Sequence, residues 1–252
     1  MDRFEYTKKR ILEGTSIRQI SRELGVDHTT VLYWIKNDFT SGKLPERITS
    51  IEEIRNNCRD KSTAYSYILG CYLGDGHISQ LARTQRLRIF SGTAHPSIIQ
   101  DQTKALRVLF DNVVSAGKSK TSNMQIISVH NNHLDKYFPQ HGLGKKHDRN
   151  VSLSPWQRDI VSKDPEPFIK GLIDTDGSNY IRTYKGVEYE CYSFTNKSVD
   201  IMKMYEDVMG QLGIKCKRTT RKDGVMRIFT QNRSDVQRIN EIYDIADKKL
   251  SS

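Results

Sequence analysis

The sequence has little with which to staple or anchor a chain. Its 252 residues include only four cysteines, Cys58, Cys71, Cys191 and Cys216, with no C-x-x-C pair among them. That spacing signals neither a disulfide framework nor a zinc knuckle, so the thiols are expected to be reduced and packed. Long apolar runs are also missing. The richest stretches, such as 67–73 and Ile126-Ile127, fall far short of the roughly 20 residues that cross a bilayer. The opening MDRFEYTKKR lacks the apolar segment of a secretory signal. The expectation is an intracellular protein, cytoplasmic if its source is a bacterium or phage, with no membrane partner. A composition of 36% hydrophobic and 28% charged residues excludes a disordered tail or a collagen-like rod. It suffices for a buried core, in one large domain or two unequal ones.

Acids are in deficit. Forty Lys and Arg against 30 Asp and Glu leave a net charge of +10, the balance of a surface that meets a polyanion such as a nucleic acid. Residues 1–62 carry 12 basic and 10 acidic groups, and residues 63–252 carry 28 and 20. The larger part is therefore expected to own most of the contact surface.

The first forty residues predict three short helices, over 7–13, 16–24 and 28–37, each with an apolar stripe and a small or polar entry residue. In SIRQISRELGVDHTTVLYWIK, Ser21 lies where two helices touch, Gly25 at the turn, and Val31 and Trp34 at core positions. Gly25 permits a backbone conformation that other residues resist. This is helix-turn-helix spacing, with Asp27 placed to cap the second helix. His28, Thr29, Tyr33 and Lys36 then fall on its outer side as candidate DNA contacts. A three-helix bundle that docks a protein would share the pattern. Residues 1–44 are read as this domain and 45–62 as a polar linker containing a short helix around Ile48, Ile51 and Ile54.

From residue 63 the chain repeats itself. YILGCYLGDGHIS and FIKGLIDTDGSNY place Gly70 with Gly171, Asp75 with Asp176 and Gly76 with Gly177, each pair 101 residues apart. Downstream, the segment from Met124 parallels that from Met226. A duplication of this kind predicts two similar units, 63–160 and 161–252, related by a pseudo-twofold axis. Each reads as an apolar helix ending in Asp-Gly, two strands, an amphipathic helix, two strands and a closing helix, giving an α+β class. In the second unit strands are expected over 179–184, 187–195, 215–221 and 225–231, with Asp223-Gly224 as a hairpin turn.

The small residues Gly70 and Gly74, like Gly171 and Thr175, lie one helical turn apart, so each helix offers a flat strip for close approach. Packing the strips together would bring Asp75 and Asp176 side by side at the helix ends. Two carboxylates there face the negative dipole ends and repel each other, a conflict that a divalent cation relieves. Oxygen ligands suit Mg²⁺, and such ions can activate water for phosphodiester displacement. A lone Asp-Gly is a common turn dipeptide, but two copies in register with matching strands point to a site.

Both motifs resemble the LAGLIDADG signature of homing endonucleases, closely in GLIDTDG from Gly171 and more loosely in GCYLGDG from Gly70. Leu73 departs from the consensus acid that Asp174 keeps. The resemblance covers about residues 63–252. It implies that Asp75 with the Gly74 carbonyl and Asp176 with the Thr175 carbonyl hold Mg²⁺ or another divalent cation. It also implies polar and basic side chains around the centre. Asn196 and Lys197 fill one such position, where the first unit offers Thr93 or His95. Lys145 and Lys146 fill another, with Lys248 and Lys249 ending the second unit. The strands would form a saddle over double-stranded DNA, contacted by Arg86, Arg88, Arg182, Lys217, Arg221 and Arg227. His130-Asn131-Asn132-His133 lacks further ligands for zinc and reads as a strand-to-helix cap.

The resemblance implies a monomeric endonuclease that cuts both strands of a long pseudo-palindromic site and leaves short 3′ overhangs. With Met1 at the start and KKLSS at the end, a free-standing enzyme is expected rather than a self-splicing insert. A transcription regulator with degraded acids and an intron maturase are the alternatives.

Overall fold

The computed structural model describes residues 3–13, 15–36, 50–110, 112–119 and 122–251. The chain divides into two compact units, residues 1–48 and 49–252.

The smaller unit contains α1 (Arg3–Leu12), α2 (Ile17–Leu24) and α3 (His28–Lys36). Ser16 caps α2 by accepting from the Gln19 amide, and Gly25 ends it at φ 65°, the left-handed region where a Cβ is strained. Ile20, Val31 and Trp34 form the core, with Leu24, Val26 and Tyr33 packed against it. The Asp27 carboxylate accepts from the Thr29 amide at 2.8 Å. Tyr33 is partly buried against the core, whereas His28 and Thr29 are exposed. The side chain of Lys36 lies outside the described residues, as do the first part of the expected linker and Ile48.

The larger unit opens with α4 (Ile51–Asp60), whose Ser50 and Glu53 form a capping box. Its Ile54 and Cys58 are buried, and Asn57 donates to the Leu109 carbonyl. The linker stretch thus ends in a helix that packs into this unit. The first repeat continues through α5 (Ser62–Leu73), β1 (Gly76–Gln80), β2 (Gln85–Gly92), α6 (Pro96–Leu109), β3 (Ser115–Lys118), β4 (Met124–Asn131) and the short α7 (Leu134–Tyr137). A 3₁₀ turn (Lys146–Asp148) and α8 (Pro155–Lys163) lead to the second: α9 (Pro165–Asp176), β5 (Gly177–Tyr184), β6 (Val187–Asn196), α10 (Val199–Gln211), β7 (Lys217–Thr220), β8 (Met226–Thr230) and α11 (Arg233–Ser251).

Each repeat builds one antiparallel four-stranded sheet, in the orders β1-β2-β4-β3 and β5-β6-β8-β7. Alternate residues point to the helices: Ile78, Leu87, Ile89, Ile127 and Val129 in the first sheet, Phe194, Met226 and Ile228 in the second, all buried. Phe194 stacks on Tyr205 of α10 at 4.4 Å between ring centroids. The two-residue loop of Lys185 and Gly186, both at positive φ, closes the β5–β6 hairpin and sets its register. Asn131 and Asn232 each accept an amide two residues on, from His133 and Ser234, so both strand-to-helix joints are capped in the same way.

The repeats meet along α5 and α9. Every residue of α5 from Ala64 to Leu73 is buried, so the helix is core on all sides and contact with α9 decides its position. A Cβ on Gly171 would collide with the Tyr67 carbonyl oxygen and lie 3.0 Å from the Cys71 amide; one on Gly70 would collide with the Phe168 carbonyl oxygen. Both obstacles are backbone, which cannot swing aside. We expect Gly171→Ala to cost more than about 2 kcal/mol, in the range of an overpacked core. Gly210→Ala on α10, where nothing lies within 4 Å, should instead be neutral or stabilise by up to about 1 kcal/mol through helix propensity. Urea denaturation of both variants checks the contrast, and equal effects would contradict it.

Candidate active site

Where α5 and α9 end, their last turns bring Asp75 and Asp176 to one place. The Cβ position of Gly74 lies 3.4 Å from Asp176 Oδ2, and both acids are half-buried. Burial raises the pKa of Asp176, and the charge of Asp75 raises it further, to about 6, against the lowering effects of Asn196 and Lys146. Burial raises Asp75 as well, with Lys146 opposing. Asn196, at the end of β6, donates to Asp176 Oδ2 at 2.6 Å and is itself held by accepting the Ser198 amide at 2.8 Å.

Lys146 approaches from the loop after α7. Its ammonium donates to the Tyr72 carbonyl, to Leu73 at 3.0 Å and to Gly74 at 2.6 Å, the orphan acceptors of the α5 C-terminus. Burial lowers its pKa to about 8 even though Asp176 and Asp75 favour the charge. Lys145 and Lys197 line the same cleft of about 560 Å³, together with His77, His141, His147 and Arg149. The donor set fits a hard divalent cation: two carboxylates and helix-end carbonyls, all oxygen, beside a cation that must shift for the Gly74 carbonyl to bind. Among the described residues no three His, Cys, Asp or Glu side chains are grouped so as to hold a metal ion, so main-chain oxygens would complete the set.

Several expected positions differ in the structure. Gly76 faces Ile89, 13 residues on, and Gly177 faces Phe194, 17 residues on, because the second hairpin is four residues longer. The counterpart of Asn196 is therefore Ser91, not Thr93 or His95. Ser91 is buried and donates to Gln102 at 2.6 Å; Thr93 donates to the Asn123 carbonyl, and His95 precedes α6. Lys249 pairs at 3.0 Å with both Asp164 and Glu166, beside the opposite end of α9. No lysine of α11 thus mirrors Lys146.

The remaining basic candidates lie on the sheet faces turned away from the helices. Arg86 and Arg88 bond Ser128 and Ser79, and the Nε of each is buried without a partner among the described residues. Arg227 donates to the Tyr180 hydroxyl at 2.7 Å and Arg182 to Gln231 at 3.3 Å. Lys217 is exposed; Arg221, beyond the end of β7, lies 3.5 Å from Asp223.

Two groups escaped sequence reading. His77 follows Asp75 by two residues, and strand alternation from the acid could have shown it. His141 and Arg149 are placed only by the loop's path. The second group surrounds Asp174. Its carboxylate accepts from Lys170 at 2.9 Å, Tyr67 at 2.8 Å and Tyr243 at 3.0 Å, and Lys170 also meets Asp101 at 3.0 Å and Asp247 at 3.4 Å. Burial pushes the Lys170 pKa down, but the acids outweigh it and hold the ammonium charged. This cluster ties α9 to α5, α6 and α11. Leu69 and Leu73 occupy the equivalent first-repeat positions, which explains why Leu73 needs no acid.

Two outcomes follow from these environments. Removing one partner of a buried ion cluster leaves uncompensated charge, so Lys170→Met should lower stability by about 3 kcal/mol, measured by urea denaturation; a loss below about 1 kcal/mol would contradict the clamp. Asp176 binds its proton more tightly folded than unfolded, so its contribution to stability is present below about pH 4 and is lost as pH rises through 6. Asp176→Asn should therefore melt higher than the parent above pH 6 in chelator, by about 1–3 kcal/mol, with the gap closing near pH 4. A gap independent of pH would contradict this origin.

Comparison with known proteins follows the same geometry. Residues 166–243 match the family model of the LAGLIDADG-like domain. No curated protein matches the sequence significantly. Among solved structures, mesophilic variants of the homing endonuclease I-DmoI superpose with a TM-score of 0.51 at 17% identity, covering 77% of this chain and 98% of theirs. I-DmoI in complex with DNA and Mn gives 0.50 at 18%, covering 72% and 97%. The N-terminal LAGLIDADG domain of DUF199/WhiA, at 0.49 and 13% identity over 78% and 90%, is too distant to carry weight. Among the described residues no helix is long and apolar enough to cross a membrane. The second repeat is a LAGLIDADG-like domain, and the larger unit of this chain has the paired-repeat fold of the LAGLIDADG family.

Proposed function

We propose that the chain is a divalent-metal-dependent DNA endonuclease, acting as a monomer on both strands of a long pseudo-palindromic site and leaving short 3′ overhangs. One observation carries the reading: Asp75 and Asp176 converge at the joined ends of α5 and α9, and Asp176 faces a cleft lined by Lys145, Lys146, Arg149 and Lys197. The I-DmoI structures were solved with DNA together with Mn, Ca or Mg, which supports both a DNA substrate and the ion. Mg²⁺ or a similar ion would be held by Asp75, Asp176 and the carbonyls of Gly74 and Thr175. When bound, it supplies Lewis acidity at the scissile phosphate and a more acidic water.

The chain's own side chains do the rest. Asn196 holds Asp176 in one rotamer, so that its second oxygen is aimed consistently. Lys146, with a pKa near 8, holds or releases a proton at its Nζ near neutral pH and adds positive charge where the cleaved strand develops negative charge. Arg86, Arg88, Arg182, Lys217, Arg221 and Arg227 grip the duplex along the sheet faces. The helices of 1–44 form a helix-turn-helix that adds a second DNA contact through His28, Thr29, Tyr33 and Lys36.

The test is cleavage of duplex DNA carrying the uninterrupted host locus, with and without Mg²⁺. The parent should cut only with the ion, and the Asp75→Asn, Asp176→Asn variant should bind without cutting. Equal cutting by that variant rejects the site; tight binding by a parent that never cuts favours a regulator. Because Lys146 has no mirror in the second repeat, Lys146→Met should slow one strand at least about tenfold more than the other, within the usual range for a lost acid-base group. A nicked duplex would then accumulate; parallel loss on both strands would contradict unequal half-sites.

A further inference from the structure

The outward faces of the two sheets differ in kind. On the second, Tyr180, Arg182 and Tyr184 of β5, Tyr189 of β6, and Arg227 and Phe229 of β8 share one face by their pairing register. Arg227 lies 5.2 Å from the Tyr180 ring centre and 5.8 Å from that of Phe229, and Arg182 lies 5.9 Å from that of Tyr184. Tyr184 is 54% exposed and Tyr189 43%. The nearby acids Glu188 and Glu190 alternate onto the reverse face. At two equivalent places the first sheet has small polar residues, Ser79 for Tyr180 and Ser128 for Phe229, and its outward apolar side chains are confined to the Phe90–Ile126 pair and Met124 at the far end of β2 and β4.

We infer that this face of the second repeat reads thymine in its half of the DNA site, through contact of Tyr180, Tyr184, Tyr189 and Phe229 with thymine methyl groups, while the first repeat reads by hydrogen bonds. The inference rests on the endonuclease reading and adds the base preference of one half. The reasoning is chemical. Of the four bases only thymine offers an apolar group in the major groove, and apolar side chains are what meet it. A free arginine would favour guanine, but Arg227 is tied to the Tyr180 hydroxyl and both arginines are drawn over rings, leaving them suited to phosphate. The absence of acids on the face fits a polyanion. Spacing agrees too: alternate residues on a strand recur about every 6.6 Å, close to two base steps of about 3.4 Å each. Tyr180 and Tyr184 would thus meet bases about four pairs apart.

Two measurements test this with the full chain. The Asp75→Asn, Asp176→Asn variant selects binders from a library of random duplexes, and thymines in the enriched site are then replaced by uracil, which lacks only the methyl group. One half should contain thymines, two of them about four pairs apart, and lose about fourfold in affinity for each methyl removed. The other half should change less than about twofold. Tyr184→Ser with Phe229→Ser should abolish the uracil effect at some thymines of the sensitive half and leave it at the others, which assigns that half to the second repeat. An enriched site whose halves tolerate uracil equally overturns the inference while sparing the endonuclease reading. Stronger capture of single-stranded oligothymidine than of any duplex also overturns it, since the rings would then be stacking on unpaired bases. If no duplex is enriched, both readings fall.

Discussion

The structure depends on how closely two helices approach. α5 and α9 touch backbone to backbone because Gly70 and Gly171 leave no side chain between them, and each would place a Cβ against a carbonyl oxygen of its neighbour. This closeness does two things at once. It buries a helix that is apolar on every side, which favours folding, and it brings the acidic ends of both helices together, which opposes it. The core gains from the contact while Asp75 and Asp176 are forced to share a half-buried place. Burial raises both pKa values, the charge of Asp75 raises that of Asp176 further, and the oxygen donors around them fit a hard divalent ion.

A tight seam needs to be held in register, and the molecule does so asymmetrically. On the second-repeat side, Asp174 and Lys170 form a buried ionic cluster with residues of three other helices. On the first-repeat side the corresponding places are leucines, and polar order is supplied instead by Gln157 and Gln140 beneath Tyr65, with Gln157 donating to the Tyr65 hydroxyl at 2.7 Å. The same inequality extends to the cleft. One half contributes Lys146 from a long loop; the other contributes Asn196 from a strand end and closes with α11, whose Lys249 is paired at the far end of α9. A duplicated fold has thus kept its frame and let the surroundings of its two acids diverge.

Much of this was legible in the sequence because it depends on local or strictly periodic features. The repeat of Gly and Asp at a fixed offset revealed the duplicated helices and predicted that both acids meet; in the structure Gly74, the neighbour of Asp75, lies beside Asp176. Strand alternation and the Asp223-Gly224 turn located the second sheet to within about two residues. What escaped depends on long-range placement. A four-residue difference in hairpin length shifted the counterpart of Asn196 to Ser91, and no local pattern marks such an insertion when Phe90 and Phe194 offer a false match. The partners of Asp174 and Lys170 come from three other helices, and only the assembled fold brings them together. Lys249 looked equivalent to Lys146 by its position after the last strand, but α11 carries it away along its 19 residues.

The shared site of the two acids is tested most directly by titrating the Asp176 carboxyl carbon by NMR, in the parent and in Asp75→Asn. The account predicts a pKa of about 6 in the parent, falling in the variant but staying above the ordinary aspartate range because burial persists. An ordinary pKa in the parent, or one unmoved when Asp75 is neutralised, would show that the carboxylates do not share a site.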